Sequence, residues 1–434
     1  MADQNVKTRY KCKKFPREKD IIVEVPGSKS ITNRALLMGA LADGKSTIKG
    51  VLFSDDSRVF MSALMEIGYI VEIDEDNHTV TIEGKPTRSS EEVNVYVGSA
   101  GTAARFITAL LAFSGNAYYV ESSEQMRKRP MKALLLALED MGVEFVYEKN
   151  EYEFPFHIRP FRADKESYEV DLNIDASSQF LSAMLLSAPV LNADLTIRLT
   201  GERDAKSYVY ISTKMMKEFG AEVEQIDENT YRVRKGQRYR EMVYQVEPDV
   251  SAACYFYALA AVTAGRAVVK NVHFDSTQGD IKFVNVLEKM GCEISDGELG
   301  IEVKGPEGKL KGLDIRMSDF SDQTMTLAAI APFSDGVISI SGVEHIRRQE
   351  SDRINAIVSE LRRLGIKVDE REDGMDIYPG EIVPTEVETY DDHRMAMAFA
   401  VLGVARGDVV ILNPECCSKT FENYFEILDC LMKI

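Results

Sequence analysis

No apolar run in this 434-residue sequence is long enough to cross a bilayer. The longest, Ala252–Val262 and Met395–Ala405, are 11 residues each, where a spanning helix needs about 20. Paired cysteines are missing as well. Cys12, Cys254, Cys292, Cys416, Cys417 and Cys430 contain no C-x-x-C, and no histidine stands at zinc spacing from them. That pattern speaks against a metal site, and the expectation is free thiols in a reducing cytoplasm. Positive charge is in deficit: 52 Lys and Arg against 70 Asp and Glu give a net −18, which argues against general nucleic-acid binding and against adhesion to anionic membranes. The basic stretch Lys7 to Lys19 has no apolar core, so it reads as a solvated edge rather than a secretory signal or a nucleic-acid arm. What is present is ordinary globular material, 45% apolar and 28% charged with 28 Gly and 13 Pro. This excludes a disordered or low-complexity chain and fits two or three domains.

One phrase recurs through the chain: an amphipathic helix ending in glycine, then alternating strand-like residues. It reads LMEIGYIVEI at Leu64, LEDMGVEFVY at Leu138, MKEFGAEVEQ at Met216, LEKMGCEISD at Leu287 and LRRLGIKVDE at Leu361. The glycines Gly68, Gly142, Gly220, Gly291 and Gly365 suit the left-handed position after a helix. A second phrase leads each copy, an apolar segment and a turn near Gly44, Gly115, Asn192, Gly265, Gly336 or Gly407, followed by a β-rich run. These apolar segments are hydrophobic all round, as buried helices are. The repeat is therefore a buried helix, a strand, an amphipathic helix and two strands, six times over. The sixth copy stops after its second helix, and the N-terminal segment Arg9–Val25, ending in DIIVEV, is expected to complete that sixth unit.

Polar and basic residues gather at the helix starts: Pro26–Ser30 with Thr32, Asn33 and Arg34; Gly98–Thr102 with Arg105; Asp175–Gln179; Asp322–Thr324; and Asp391–Arg394. The amphipathic helices open with Arg127–Arg129, Lys206, Glu350–Arg353 and Lys419. Backbone N–H groups and the helix dipole favour anions at such places. Each piece has a plain alternative: Ser, Thr and Asp before a helix cap it, Glu350 and Arg353 form an i,i+3 surface pair, and His393 is a satisfied structural histidine. Lys29 among Gly27, Ser28 and Ser30 lacks the spacing of a nucleotide phosphate loop. Recurrence at equivalent points of several repeats favours one cleft for a polyanionic small molecule.

In order along the chain, PGSKSITNRALL at Pro26, GSAGTAARF at Gly98, RKRP at Arg127, SSQFLSA at Ser177, DQTMTLA at Asp322, QESDRI at Gln349, DDHRMAM at Asp391 and SKTF at Ser418 resemble the signature segments of the EPSP synthase family (5-enolpyruvylshikimate-3-phosphate synthase, 3-phosphoshikimate 1-carboxyvinyltransferase). The resemblance covers essentially the whole chain. It implies an α/β fold of two domains, each of three βαβαββ units around buried helices (an inside-out α/β barrel), with the active site in the interdomain cleft. The domains would be 27–246 and 1–26 plus 247–434, the second closed by the N-terminal strand. It implies transfer of the enolpyruvyl group of phosphoenolpyruvate to the 5-hydroxyl of shikimate 3-phosphate, in the shikimate pathway, by a monomeric cytoplasmic enzyme without cofactor or metal and with no partner beyond its small substrates.

Carried over by position, Lys29, Gly101, Thr102, Arg129, Arg353, Arg394 and Lys419 would bind phosphoenolpyruvate, the arginines gripping phosphate and carboxylate bidentately. Lys29, Ser30, Arg34, Ser177, Ser178, Gln179, Tyr208, Asp322 and Gln349 would bind shikimate 3-phosphate. Asp322, Glu350 and Lys29 would be catalytic: Asp322 as base for the attacking hydroxyl, Glu350 as an acid that becomes a base if its pKa lies near neutrality. Three positions depart from the family pattern: Ser99 where Asn is common, Phe106 where many members have Pro, and Gln349 where Lys is usual. Two alternatives compete. UDP-N-acetylglucosamine enolpyruvyltransferases share the fold but carry a loop cysteine absent between Ala112 and Pro130. A non-catalytic paralogue binding an anionic metabolite would draw on Gln349 and Ser99 and is opposed by Lys29, Asp322, Glu350 and Arg394.

Overall fold

The repeat read from the sequence takes shape because each apolar segment is flanked by two strands that can only pair in parallel. A parallel pair needs a crossover, and a helix supplies it. The computed structural model describes residues 8–83, 91–201 and 206–433. Six helices are the crossovers: α1 (Lys29–Leu41), α2 (Gly101–Ser114), α3 (Gln179–Leu191), α4 (Val250–Thr263), α5 (Thr324–Ile330) and α6 (His393–Arg406). They are buried nearly all round; in α4 only Val262 escapes.

The third repeat shows the pattern. Ser167–Asn173 alternates exposed and buried residues along its length, and through α3 it pairs in parallel with Asp194–Thr200. The helix Lys206–Glu218 follows, then a hairpin whose second strand, Thr230–Val233, returns antiparallel to Asp194–Thr200. Five sheets share this four-stranded order, and a sixth has three strands among the described residues. The five glycines that end the amphipathic helices all have positive φ, between 83° and 109°. Gly68 illustrates the closure: its N–H meets the carbonyls of Leu64 and Met65 while Tyr69 N–H reaches Leu64 again, so the last helical carbonyls are satisfied.

The chain divides into two compact units, Gly27–Glu247 and a second made of Met1–Pro26 with Pro248–Ile434. Each has its own core of buried apolar side chains. In the first unit the leading strand of the first repeat is supplied by the end of the unit, Val243–Gln245, parallel to Thr47–Lys49.

The N-terminal segment serves two repeats rather than the one expected. Strand β1 (Arg9–Lys11) lies antiparallel to Val410–Leu412 and completes the sixth repeat. The DIIVEV strand β2 (Asp20–Val23) instead leads the fourth repeat, parallel to Arg266–Val269. The reason is the polarity of the ladder: α4 needs a parallel strand before it, and the preceding chain, Val243–Gln245, is already committed to the other unit. Gly265 permits this entry, because a Cβ there would fall 2.5 Å from the Lys19 carbonyl. The left-handed residue at that turn is the neighbouring Ala264, φ 53°.

Candidate active site

In the unit Gly27–Glu247 the crossover helices begin without side-chain caps. Ser28, Ala100 and Ser178 precede α1, α2 and α3, and none accepts a capping hydrogen bond. Their first-turn N–H groups keep no side-chain acceptor from the cap position, which suits an anion, although at α3 the Gln179 N–H is taken by Ser177 Oγ at 3.2 Å. Cationic side chains are fixed around them. Lys29 Nζ stands 3.4 Å from Asp56 Oδ2, both largely shielded. Gly101 lies against the Arg129 guanidinium so closely that a Cβ would meet its Nη2 at 2.7 Å, and Arg129 Nη1 donates to the Ser99 carbonyl at 3.3 Å. Arg105 organises the neighbouring starts. Its Nη1 reaches Ser177 Oγ at 3.1 Å and Gln179 Oε1 at 2.6 Å, and its Nη2 the Pro130 carbonyl at 3.0 Å. Gln179 Nε2 in turn donates to Thr102 Oγ1 at 3.0 Å. Gly101, Thr102, Arg129, Ser177 and Gln179 are thus brought into one network.

Arg34 has an unusual setting. It is 2% exposed, and its donors go to Ser212 Oγ (2.8 Å), Ser182 Oγ (3.0 Å) and the Ser30 carbonyl (2.8 Å). Its guanidinium carbon lies 5.3 Å from the centroid of the Phe106 ring. All of these partners are neutral. Burial pushes its pKa down to about 10, with Tyr208 acting weakly the other way. Tyr208 and Ser212 share the helix Lys206–Glu218, where the Tyr208 carbonyl accepts from Ser212 Oγ at 3.1 Å. Ser30 and Ser178 stand at the starts of α1 and α3. The side chain of Lys206, named from the sequence, lies outside the described residues.

The second unit is built the opposite way, with carboxylates at the helix starts holding arginines. Asp249 caps α4 through Ala252 N–H, and Asp392 caps α6 through Arg394 N–H. Arg353, 1% exposed, is the hub. Its Nε meets Asp392 Oδ2 at 2.8 Å, Nη1 meets Asp322 Oδ1 at 3.1 Å, and Nη2 meets Glu350 Oε2 at 2.9 Å. Nη1 also donates to Gln349 Oε1. Burial alone would lower the Arg353 pKa, yet Asp392, Glu350 and Asp322 carry it above its ordinary value. Arg394 Nη2 takes the other oxygen of Asp322 at 2.8 Å, and its pKa is raised likewise, with Asp322 the largest counterweight to burial. Lys419 Nζ is 3.6 Å from Asp391 Oδ2 and 3.2 Å from its carbonyl. His393 is buried with Nδ1 3.9 Å from Asp392 Oδ1.

Asp322, Gln349, Glu350, Arg353 and Arg394 therefore form one cluster, and Glu350 enters it as the partner of a guanidinium. Sequence reasoning missed Asp56, and it singled out Asp392 and Arg105 without the anchoring role of the one or the tying role of the other. Each reads locally as a cap, a first-turn acid or a stray helix cation, and only the pairing distance tells otherwise.

The profile of EPSP synthase (3-phosphoshikimate 1-carboxyvinyltransferase) matches residues 17–428. A 3-phosphoshikimate 1-carboxyvinyltransferase of Trichormus variabilis is 45% identical over 410 residues, 94% of this chain and 96% of the relative. One from Halalkalibacterium halodurans is 40% identical over 411 residues, 94% and 91%. Among solved structures, an EPSP synthase of Acinetobacter baumannii superposes with a TM-score of 0.81 at 24% identity, covering 98% of both chains. The enolpyruvyl transferase NikO of Streptomyces tendae gives 0.77 at 15% identity over 97% and 96%. The structural likenesses establish the two-domain inside-out α/β fold, and the sequence matches place this chain in the EPSP synthase family.

Proposed function

We propose that this chain transfers the enolpyruvyl group of phosphoenolpyruvate to the 5-hydroxyl of shikimate 3-phosphate and releases phosphate. The observation that carries this reading is the contrast between the two clusters. One holds a buried guanidinium, Arg34, on neutral partners only. The other holds Arg353 and Arg394 on the carboxylates of Asp322 and Glu350, groups able to exchange protons. A phosphate monoester supplies the counter-charge that these neutral partners of Arg34 do not. A second anion with phosphate and carboxylate suits the forked guanidiniums and the ammonium groups of Lys29 and Lys419.

The chemistry follows in two stages. Protonation at C3 of phosphoenolpyruvate makes C2 electrophilic; the 5-hydroxyl adds there as its own proton leaves, giving a tetrahedral ketal phosphate. The C2–O bond to phosphate then breaks while a C3 proton is removed, restoring the double bond. Anions arriving at Arg353 and Arg394 compete with Asp322 and Glu350 for the same N–H groups. That exchange frees Asp322 to accept the hydroxyl proton and Glu350 to trade a proton with C3. Lys29 and Lys419 neutralise the departing phosphate. Ser30, Ser177, Ser178, Gln179, Tyr208 and Gln349 orient the acceptor through hydrogen bonds, and Gly101, Thr102 and Arg129 receive phosphoenolpyruvate at the start of α2. No cofactor or metal enters the scheme, and the working form is a cytoplasmic monomer.

Phosphate release from phosphoenolpyruvate tests the reading, with shikimate 3-phosphate and UDP-N-acetylglucosamine as parallel acceptors. Release should depend on the former alone, and Asp322→Asn and Glu350→Gln should each lower turnover by about 10²- to 10⁴-fold. Silence from folded protein with both acceptors would overturn the assignment, and near-full turnover in either variant would remove that residue from the mechanism.

A further inference from the structure

The cations assigned to phosphoenolpyruvate in the second unit all meet one short turn. Asp391 faces Lys419, Asp392 holds Arg353, and Arg394 follows at the start of α6. The turn is bent in a way most side chains resist: Tyr390 and Asp391 are consecutive left-handed residues, each with φ 56°. Aspartate tolerates that conformation, but a bulky residue such as tyrosine is strained in it. Such strain persists only where the surroundings impose it. Tyr390 is 38% exposed, so the turn is not sunk in the core, and hydrogen bonds fix it. Thr389 Oγ1 donates to the Leu412 carbonyl at 2.9 Å, and Asp392 N–H closes back on the Thr389 carbonyl at 2.9 Å. The remaining hold comes from a carboxylate that the scheme above does not use.

Glu360 lies in the last turn of the helix Arg353–Arg363 and is 0% exposed. Its Oε2 accepts from the Glu388 N–H at 3.0 Å and its Oε1 from the Tyr390 hydroxyl at 2.8 Å. Arg363 Nη1 lies 3.1 Å from Oε1 and 3.0 Å from Oε2. Burial and the negative end of a helix both disfavour a carboxylate at such a place. An apolar residue would suit the helix better, but it could not accept from a backbone N–H and a hydroxyl at two points of the same turn. Arg353 and Glu360 stand two helical turns apart on one face, about 10 Å along the axis. Both ends of that face take hold of the same segment, Arg353 at Asp392 and Glu360 at Glu388 and Tyr390. The helix thus acts as a ruler between the anchor of the turn and the carboxylate the turn presents.

We propose that Glu360 is a positioning residue for phosphoenolpyruvate: by holding Glu388 and Tyr390 it sets the left-handed turn that aims Asp392 at Arg353 and Asp391 at Lys419. The proposal rests on the assignment of those cations above.

Glu360→Ala removes both acceptors. Glu360→Gln keeps an oxygen for the Glu388 N–H and offers an N–H to the Tyr390 oxygen. In phosphate-release assays Glu360→Ala should raise the KM for phosphoenolpyruvate about tenfold with kcat within about threefold, and Glu360→Gln should stay within about threefold of the parent in both. Tyr390→Phe should raise that KM about threefold by itself and not at all in the Glu360→Ala background, since the hydroxyl acts through the carboxylate. Leu361→Ala opens the core at the next position; it should lower the melting temperature and leave that KM near the parent value. If Glu360→Ala does not fold, Tyr390→Phe decides, and an unchanged KM there overturns the proposal. An unchanged KM in folded Glu360→Ala, no rescue by Glu360→Gln, an additive double variant, or an equal KM rise in Leu361→Ala would each overturn it as well. A parent that releases no phosphate sinks the functional reading and the proposal together, whereas any of these results in variants of an active parent sinks the proposal alone.

Discussion

Arg34 and Arg353 are both almost wholly buried, yet one rests on hydroxyls, a carbonyl and an aromatic face and the other on three carboxylates. Removing their charge has unequal costs. Arg34→Met leaves behind Ser182 and Ser212, whose hydroxyls already bond each other at 2.8 Å, so the free protein should lose no more than about 1 kcal/mol in urea unfolding. The variant should nonetheless lose the thermal stabilisation that shikimate 3-phosphate gives the parent. Arg353→Met strands Asp392, Asp322 and Glu350 and should cost about 3–5 kcal/mol in the same unfolding experiment before any ligand is added. The cations themselves were legible in the sequence, because Lys and Arg recur at equivalent points of several repeats. Their counter-charges were not. Asp56 and Asp392 sit far along the chain from Lys29 and Arg353, the cations they hold, and nothing in DDSR or DDHR distinguishes a first-turn acid or a cap from an electrostatic partner.

At the scale of elements, the start of α2 couples helix geometry to ligand chemistry. Gly101 is a helical position where alanine would improve propensity by up to about 1 kcal/mol, yet its missing Cβ is the space in which the Arg129 guanidinium lies. Gly101→Ala should displace that flexible side chain without harming the fold. The expected result is a melting temperature equal to or above the parent and a KM for phosphoenolpyruvate raised about tenfold; an unchanged KM would dissociate Arg129 from that ligand. The same helix carries Phe106, which the family pattern flags as a departure. Its ring is a face of the Arg34 seat, so the substitution acts on that seat as well as on the helix start. Helices and hairpins were readable here because glycine closures and all-round apolar segments are local signals. The leading strands were less so: DIIV and VYQ are three or four residues long, and a parallel partner can lie anywhere in the chain.

Taken as a whole molecule, the two units are unequal in how they are threaded. Gly27–Glu247 draws every strand of its three sheets from one continuous stretch. The other needs β1 and β2 from the far end of the sequence to complete two of its sheets. A fragment spanning 27–247 should therefore fold alone and melt cooperatively, whereas 248–434 should show no cooperative transition until a peptide covering 1–26 is added. Circular dichroism melts of the three samples check this, and cooperative melting of 248–434 by itself would show that β1 and β2 are dispensable. Six copies of one unit could be counted from the sequence; which copy borrows which strand could not, since that is decided by ladder polarity and not by composition.

The distant pairing of β2 also sets a clock during synthesis. Ile21 leaves the ribosome about 245 residues before its partner Ala267, which at roughly 5–20 residues per second is a wait of some 12–50 s. Throughout that interval an apolar strand with unmet backbone groups is present beside a growing neighbour, the condition under which strands find the wrong partner. Charged residues surround it: Lys13, Lys14, Arg17, Glu18 and Lys19 before, Asp20 as its first residue, Glu24 after. Charges beside an apolar strand disfavour its pairing with a wrong neighbour in a nascent chain.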